Sequence, residues 1–356
     1  MSALHDRRPA DFDYPEPFAR SLEEELAGVL RDAGLEGRQA QAVSNRLGWS
    51  GRPATTLAEA AAREGYSRER VRQLEVKVRR HAEESPLRLP LTAAALRLVE
   101  NAAPIARDRI PGELARAGLS AGPFDPSGLL SAAELGRLEL RVCERDGILM
   151  QKRHLELVAG LEKAAQTIVK KVGAGTVEAV ARRSDDDAAP QAAQRLLDAH
   201  ADVIWLDDTR EWFFVRGTRT PFTRTLRKML SVSGSLTLAD VDDGLRRAFR
   251  PICLPRPVLL RLCRLVPWIA VEDEPPAVTA TIAVDEARVL STLERALVGV
   301  FREHGPMLTF SKAVALGEEQ GLNPSSVGLY LCRSPIIKTI SRGRYTLRGA
   351  ELLSAV

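Results

Sequence analysis

The feature that most constrains the fold of this chain is a strand-turn-strand pattern that recurs after groups of short helical segments. From about Leu91 onward the pattern repeats with a period of roughly 60 to 70 residues, a spacing typical of tandem structural units. Each hairpin sets β-branched or aromatic residues on both sides of a polar or Gly/Pro-bearing turn. The clearest hairpins are residues 203–217, 268–282 and 336–349, and a weaker copy, 91–142, ends in the strand-like LELRV.

Three helices followed by a hairpin make up the plan of a winged helix. The sequence therefore predicts a mainly α fold with small β-hairpin wings, in which a helix-turn-helix is followed by tandem winged-helix units. A single irregular helical domain with a few hairpins remains the alternative. The predicted segments are a flexible tail 1–18, a helix-turn-helix domain 19–86, and winged-helix-like units 87–148, 149–217, 218–283 and 284–356. The acidic run 183–190 is either an exposed loop inside the second unit or a linker.

Composition limits the partners more weakly than the pattern does. The formal net charge of +4 is modest for 356 residues, so a surface for polyanions must arise from local clustering of basic residues. The chain has no apolar run near the roughly 18 residues of a membrane helix and no apolar signal core. We therefore expect a cytoplasmic, nucleoid-associated protein without membrane contact.

Motifs of catalysis are missing from the sequence. The five histidines are scattered, no HExxH, GxxxxGK[ST] or GxGxxG occurs, and the plainest acidic cluster, 185–187, falls in a predicted loop. The sequence predicts neither a cofactor nor a metal site, and an enzyme is the least favoured class. The cysteines form no CxxC pair and are expected to be buried small side chains. They are Cys143, Cys253, Cys263 and Cys332.

The segment 56–81 carries the signals of two helices joined by a tight turn. Thr56 and Glu59 form a capping-box pattern at the start of the first helix. Gly65 is suited to a left-handed C-terminal position, and Ser67 supplies the N-cap of a second helix over 68–81. Apolar residues on the two helices are expected to pack together. These are Val71, Leu74 and Val78 against Leu57, Ala60 and Ala61.

The opposite face of the second helix has the chemistry needed to read base edges. Arginine can donate to guanine O6 and N7, glutamine can pair with adenine, and glutamate can accept from the cytosine amino group. The alternative is a solvated helix with salt bridges on its surface. The candidate base-reading residues are Arg68, Glu69, Arg72 and Gln73, and the candidate backbone contacts are Ser67, Arg70, Lys77 and Arg80.

The run TLAEAAAREGYSRERVRQLEVKVRR resembles the helix-turn-helix of region 4 in primary sigma factors, whose second helix binds the promoter element near minus 35. The resemblance covers about 34–84 and implies base reading by Arg68, Glu69 and Gln73, with Arg70, Arg72 and Lys77 as phosphate or supporting contacts. Nothing resembles the regions that bind the minus 10 element. The chain continues with HAEESPLRLP instead of the family's basic tail, which weakens the case for binding to the RNA polymerase core.

The last unit resembles winged helices of the RNA polymerase delta subunit and of restriction-linked proteins. Asn323 is expected to cap a helix that begins at Pro324 and follows helices over 287–301 and 310–320. The resemblance implies further contacts with the DNA backbone. The residues concerned are Ser325, Ser326, Tyr330 and Arg333 on the third helix and Arg342 and Arg344 on the wing.

The middle units are expected to serve as stacking or protein-binding modules, because their hairpin tips are acidic. A basic cluster around 218–230 could still line a path for DNA between units. Its members are Arg216, Arg219, Arg224, Arg227 and Lys228.

Together these features predict a sequence-specific protein for double-stranded DNA, a transcriptional regulator, with RNA polymerase or other protein subunits as further candidate partners. The alternative is a non-catalytic scaffold or DNA-recognition subunit of a phage-defence or restriction-type complex.

Overall fold

The computed structural model describes residues 19–248 and 254–350, and in these ranges the chain is mainly helical with small three-stranded antiparallel sheets. The expected mainly α class with small β hairpins is confirmed in that form. The predicted tail 1–18 lies outside the described residues. The chain divides into two compact units, one of Met1–Ala159 with Gln191–Ala201 and one of Gly160–Pro190 with Asp202–Val356.

The bounds of the helices, in chain order, are α1 (Leu22–Asp32), α2 (Gly37–Leu47), α3 (Leu57–Glu64), α4 (Arg68–Glu84), α5 (Pro90–Ala102), α6 (Ile110–Arg116), α7 (Pro126–Leu135), α8 (Leu155–Val172), α9 (Val177–Ala181), α10 (Ala189–Ala199), α11 (Pro221–Ser233), α12 (Leu238–Ala248), α13 (Arg256–Arg264), α14 (Glu286–Val289), α15 (Thr292–His304), α16 (Phe310–Glu319) and α17 (Pro324–Arg333).

The strands are β1 (Ile105–Ala106), β2 (Val142–Arg145), β3 (Ile148–Gln151), β4 (Gly175–Thr176), β5 (Val203–Trp205), β6 (Trp212–Val215), β7 (Ser235–Thr237), β8 (Ile269–Asp273), β9 (Pro276–Ala280), β10 (Met307–Thr309), β11 (Ile337–Ser341) and β12 (Arg344–Leu347).

Each sheet has the same strand order, in which the last strand of a hairpin lies in the middle. The orders are β1-β3-β2, β4-β6-β5, β7-β9-β8 and β10-β12-β11. The three clearest predicted hairpins are confirmed as β5–β6, β8–β9 and β11–β12. The strand expected in LELRV begins only at Val142, the last residue of that run. Its partner strand β3 extends to Gln151 and so crosses the boundary between residues 148 and 149 that the sequence predicted for the first two winged-helix-like units.

One hydrophobic core joins most of the first unit, from Leu22 in α1 to Leu149 in β3. Leu74 and Val78 of α4 belong to this core, so the expectation that they pack on α3 is wrong. Only Val71 packs with Ala60 and Ala61 of α3, together with Ala42 of α2. The reason is length, since α3 has eight residues and ends at Gly65, whereas α4 has seventeen and continues past it.

The start of α5 is held by a carboxylate from α1. Leu89, the N-cap residue of α5, makes no side-chain cap, and the buried Glu25 takes that role from a distance in sequence. Glu25 accepts hydrogen bonds from Leu91 N (2.8 Å), Thr92 N (2.9 Å) and Thr92 Oγ1 (2.6 Å). The segment around α1 to α4 is thereby tied to the helices that follow it.

Helix α7 packs closely against α2. A Cβ atom at Gly128 would lie 2.1 Å from the Gly48 carbonyl oxygen, so the two backbones meet where only glycine fits. The Trp49 indole donates to Ser131 Oγ (2.9 Å), and that hydroxyl donates to Leu47 O (2.7 Å). Most of α7 is buried as a result, and this helix is occupied by contacts within its own unit.

In the second unit, a buried arginine joins α12 to the last sheet. Arg348 is 0% exposed and forms ion pairs with Asp240 (3.4 Å) and Asp243 (2.6 Å). It also donates to the carbonyl oxygens of Pro335 (2.8 Å) and Ile337 (3.2 Å). These contacts fix the sheet of β10 to β12 against α12.

A second buried charge lies nearby. Glu294 of α15 accepts from Lys228 Nζ (2.7 Å) of α11 and from Ser334 Oγ (3.0 Å). The single helix expected over 287–301 is wrong, because Ser291 and Glu294 form a capping box that starts a new helix at Thr292. The sequence carries that Ser-x-x-Glu signal openly.

The cysteines differ in exposure. Cys263 is buried, and burial raises the pKa of its thiol to about 12. Cys143 is only half-buried and Cys332 is exposed on α17, so the expectation of burial is wrong for these two. Cys253 lies outside the described residues. No helix in 19–248 or 254–350 combines the length and apolar character needed to cross a membrane.

Candidate nucleic-acid interface on helix α4

Local sequence signals fix the end of α3, the start of α4 and the short turn that joins them. The predicted capping box is confirmed, since Thr56 Oγ1 accepts from Glu59 N (3.2 Å) and Glu59 Oε2 accepts from Thr56 N (2.8 Å). Gly65 ends α3 with φ +71°, a left-handed conformation that costs glycine little. Ser67 Oγ then accepts from Arg70 N (3.2 Å) and starts α4. The predicted C-terminal glycine and N-cap serine are both confirmed.

The turn has further support that the sequence did not reveal. The Arg38 guanidinium of α2 donates to Glu64 O and lies 5.5 Å from the centre of the Tyr66 ring. Asn45 of α2 donates to Glu64 Oε1 (3.1 Å). Helix α2 therefore braces the end of α3 and the turn into α4.

The outer face of α4 is open, as base reading requires. Arg68, Glu69, Arg72 and Gln73 are all exposed, and α4 buries only its opposite side. The seventeen-residue helix α4 thus presents positively and negatively charged side chains to solvent on one face, while its opposite face is packed in the protein.

An ion pair organises the centre of this face. Arg72 donates to Glu69 through Nε (2.8 Å) and Nη2 (2.6 Å), and Gln73 Nε2 lies 3.4 Å from Glu69 Oε1. The hydrogen bond from Arg72 lowers the pKa of Glu69, and the same bond raises the pKa of Arg72. Both groups stay charged at neutral pH, and Arg72 Nη1 has no hydrogen bond to any residue that the structure describes.

Three cations on α4 are without partners in the described part of the chain. Arg68, Arg70 and Arg80 are exposed and form no hydrogen bond or ion pair with any residue in 19–248 or 254–350. Lys77 differs, because its Nζ donates to Gly34 O (2.9 Å) in the turn between α1 and α2. Free positive charge is therefore concentrated on the N-terminal half of α4 and at Arg80.

The structure places the candidate residues of the last unit on two elements. On α17, Ser325 and Arg333 are exposed and Ser326 and Tyr330 are half-buried. Leu329, 48% exposed, lies between them. At the end of the β11–β12 hairpin, the two candidate arginines are exposed on either side of Gly343, which has φ +73°. They are Arg342 and Arg344.

The exposed face of α17 is more apolar than the sequence suggested. The Phe310 ring of α16, itself exposed, lies against Gly328 of α17, 3.1 Å from where a Cβ atom would be. Phe310 and Leu329 therefore add exposed apolar surface at α17, whose only charged residue is Arg333.

The basic cluster around 218–230 is partly engaged in packing. The Arg227 guanidinium lies 5.2 Å from the centre of the Trp268 ring, and Lys228 binds the buried Glu294. Arg216, Arg219 and Arg224 remain exposed. Fewer charges are thus available for a polyanion than the sequence count implies.

Within 19–248 and 254–350, no group of three or more His, Cys, Asp or Glu side chains is placed to hold a metal ion.

Comparisons with known proteins add no identity to this geometry. No protein-family model matches the chain, and no curated protein matches it either. Function is therefore inferred from the arrangement of residues on α4 and around it.

Proposed function

We propose that this protein binds double-stranded DNA sequence-specifically and regulates transcription, with α4 lying in the major groove. The observation that carries the proposal is the division of α4 into two faces. The apolar residues of one face are buried in the cores of the first unit, whereas Arg68, Glu69, Arg72 and Gln73 on the other face are exposed. A major groove about 12 Å wide admits one α-helix, and such a helix must leave one face free of contacts within the protein.

Each exposed side chain has a complementary base edge. Arg68 is the residue for guanine O6 and N7, and Gln73 is the residue for adenine or a neighbouring acceptor. The bidentate pair with Glu69 holds Arg72 across the face, which reduces the side-chain entropy lost on binding. Glu69 keeps lone pairs that can accept from a cytosine amino group.

Backbone contacts come from other residues of the same helix and from its N-cap. We assign them to Ser67, Arg70 and Arg80, which lie before, beside and beyond the base-reading residues. Lys77 binds Gly34 O with one of three ammonium protons, so it can contact a phosphate without giving up that bond. Contacts of this kind fix the register of the helix and carry no sequence information.

The finer fold assignment is part of the proposal. Helices α3 and α4 with the turn at Gly65 act as a helix-turn-helix of the sigma region 4 type. The four sheets with their preceding helices act as winged-helix units. The capped turn and the repeated strand order support these assignments. RNA polymerase is a candidate partner through the resemblance alone.

The test is selection of binding sites from a random duplex library with the full chain. We expect wild-type protein to enrich one motif, and the double variant Arg68→Ala/Gln73→Ala to lose about 1 to 3 kcal/mol of discrimination at individual base pairs. Arg116→Ala on α6 removes one exposed charge elsewhere in the first unit and is the matched control. An unchanged motif in the double variant would contradict base reading by α4.

A non-catalytic scaffold or DNA-recognition subunit of a phage-defence or restriction-type complex is the second candidate. Helix α7 is the third helix of the predicted unit 87–148, and its packing within the chain leaves little of it free to contact DNA, which favours the scaffold role. The exposed Phe310 and Leu329 beside α17 favour it as well, since apolar surface suits a protein partner.

The salt dependence of DNA binding separates the two roles of the last unit. If Arg342 and Arg344 bind phosphates, their replacement by alanine should reduce the slope of log K against log salt by about 0.9 for each phosphate that is no longer neutralised. An unchanged slope, with the selected motif intact, would assign this unit to protein binding.

A further inference from the structure

Val76 is one of two large apolar side chains that are exposed in the described part of the first unit, and Leu155 is the other. Val76 is 42% exposed, and between Ala19 and His154, all of which the structure describes, it is the only large apolar side chain that is exposed. The other large apolar residues of that stretch are buried or half-buried. The exposure of Val76 is therefore not part of a general looseness of packing.

The position of Val76 links it to the candidate base-reading residues. Glu69, Arg72, Gln73 and Val76 follow one another at i, i+3, i+4 and i+7, the spacing that places side chains on one stripe of a helix. Val76 lies one turn beyond Arg72, in the middle of the exposed face, and Arg80 follows it one turn later. A groove that receives the polar residues of this stripe also receives Val76.

Helix energetics make the choice of valine there unexpected. A β-branched side chain loses χ1 freedom in a helix, and a position that is 42% exposed offers only partial packing to offset that loss. Alanine or a long polar residue would suit α4 better if the site only faced water. The exposed part of the Val76 side chain is thus apolar surface that the described chain does not cover.

One apolar feature is available in the major groove. Thymine is the one base whose groove edge carries a methyl group, at C5, and small apolar side chains contact it. We propose that Val76 is a specificity-determining residue that packs on the 5-methyl group of a thymine adjacent to the bases read by Arg72 and Gln73. The inference rests on the proposed function of α4 and adds a thymine to the selected site.

The test removes only that methyl group from the DNA. In the duplex selected by wild-type protein, each thymine is replaced singly by deoxyuridine, which keeps every hydrogen-bonding group. We expect wild-type protein to bind about three- to fivefold more weakly at one position, the effect of removing one buried methyl group. Val76→Ala should bind the thymine duplex more weakly and should not distinguish thymine from uracil at that position. Val76→Thr, which keeps one methyl group, should retain part of the discrimination.

Leu155→Ala is the matched control, because Leu155 is an exposed apolar residue, 37% exposed, at the start of α8. It should bind both duplexes as wild type does. The inference is overturned if the selected site lacks thymine, if no uracil substitution weakens binding, or if Val76→Ala discriminates as fully as wild type. Failure of wild-type protein to enrich any duplex would instead sink the proposed function itself, so the two failures are distinguishable.

Discussion

Glu25 and Arg348 are charged side chains that the fold buries, and each joins segments far apart in the sequence. Glu25 of α1 caps α5 across more than sixty residues, with three hydrogen bonds to its carboxylate. Arg348 follows β12 and binds two aspartates of α12. Buried groups that satisfy each other in this way make the removal of one partner costly, because the other is left without a partner in a poorly solvated site.

Replacement of Glu25 by alanine should destabilise the first unit. The change leaves two backbone amides and a hydroxyl at the start of α5 without their acceptor, and we expect a loss of about 1 to 3 kcal/mol in the free energy of unfolding. Urea denaturation followed by circular dichroism measures it. Glu24→Ala removes the neighbouring exposed carboxylate, which accepts only from Arg20 N among the described residues, and should cost far less. Equal effects of the two changes would contradict the capping role of Glu25.

The acidic residues of the second unit predict a dependence of stability on pH. Burial would raise the pKa of Asp240, but hydrogen bonds from Lys338 and Thr237 and the charges of Lys338 and Arg348 outweigh it and lower that pKa. Burial would likewise raise the pKa of Glu294, but the opposing effects, of which the hydrogen bond from Lys228 is the largest, lower that pKa below its ordinary value. Both carboxylates therefore hold fewer protons in the folded chain than in the unfolded chain at acidic pH.

Stability from these two groups is fully present above the ordinary carboxyl pKa and is lost as the pH falls through the lowered values. We expect the free energy of unfolding to be nearly constant from pH 7 to about pH 5 and to decline below about pH 4. The double variant Asp240→Asn/Glu294→Gln should show a shallower decline. Asp208→Asn, at a carboxylate whose side chain is 91% exposed, should follow the wild-type curve. A double variant with the wild-type slope would exclude these groups as its cause.

Among the elements, the contact of α7 with α2 depends on a single small residue. Gly128→Ala would put a Cβ atom 2.1 Å from the Gly48 carbonyl oxygen, and neither backbone can yield without moving its helix. We expect a loss of about 1 to 3 kcal/mol, the usual cost of overpacking, measured by thermal unfolding. Gly112→Ala in α6, where no atom lies within 4 Å of the added Cβ, should be neutral or stabilising. A neutral Gly128→Ala would mean that the two helices are less closely packed than described.

Elements with strong local signals could be predicted from the sequence. The ends of α3, the start of α4 and the start of α17 depend on Thr56, Gly65, Ser67 and Asn323, whose effects act within one helical turn. The three clear hairpins have turn residues between β-forming runs. The exposed face of α4 also follows from periodicity, because the apolar residues of one stripe define the polar stripe opposite.

Elements fixed by distant contacts could not be predicted. Strands β1 and β4 have two residues each, too few to show a period, and they form only because a hairpin strand pairs with them. The burial of α7 depends on Gly48, and the partner of Lys77 is a carbonyl group more than forty residues away. The exposure of Val76 is different, because its spacing from Glu69, Arg72 and Gln73 already places it on the polar stripe of α4.

Across the whole molecule, the first unit is not continuous in sequence. It takes in Gln191–Ala201, from which Arg195 donates through Nη1 to the carbonyl oxygens of Asn101 and, at 3.3 Å, of Ala103. Those carbonyls are at the C-terminal end of α5, where a cation completes hydrogen bonds that the helix leaves open. Stability of the α4 region therefore depends on residues well beyond it.

Arg195→Ala in the full chain should lower the stability of the first unit. Removal of the charged donor to two carbonyl groups is expected to cost about 1.5 to 3 kcal/mol. Hydrogen exchange of amides in α5, read by mass spectrometry, reports the change locally. Arg183→Ala, in the exposed loop between α9 and α10, removes the same charge and should leave α5 protected. Faster exchange that is confined to the second unit would contradict the assignment.

The interruption also has a consequence during synthesis. Roughly forty residues separate the end of the first segment, Ala159, from the last residue of its completing segment, Ala201. At about 5 to 20 residues per second, a ribosome needs some 2 to 8 seconds to supply them. During that interval the nascent α5 lacks the Arg195 guanidinium that donates to the carbonyl groups at its C-terminal end. The first residues of the second unit, from Gly160 onward, are synthesised in the same interval. Helix α4, which shares a hydrophobic core with α5, therefore gains its finished support late in translation.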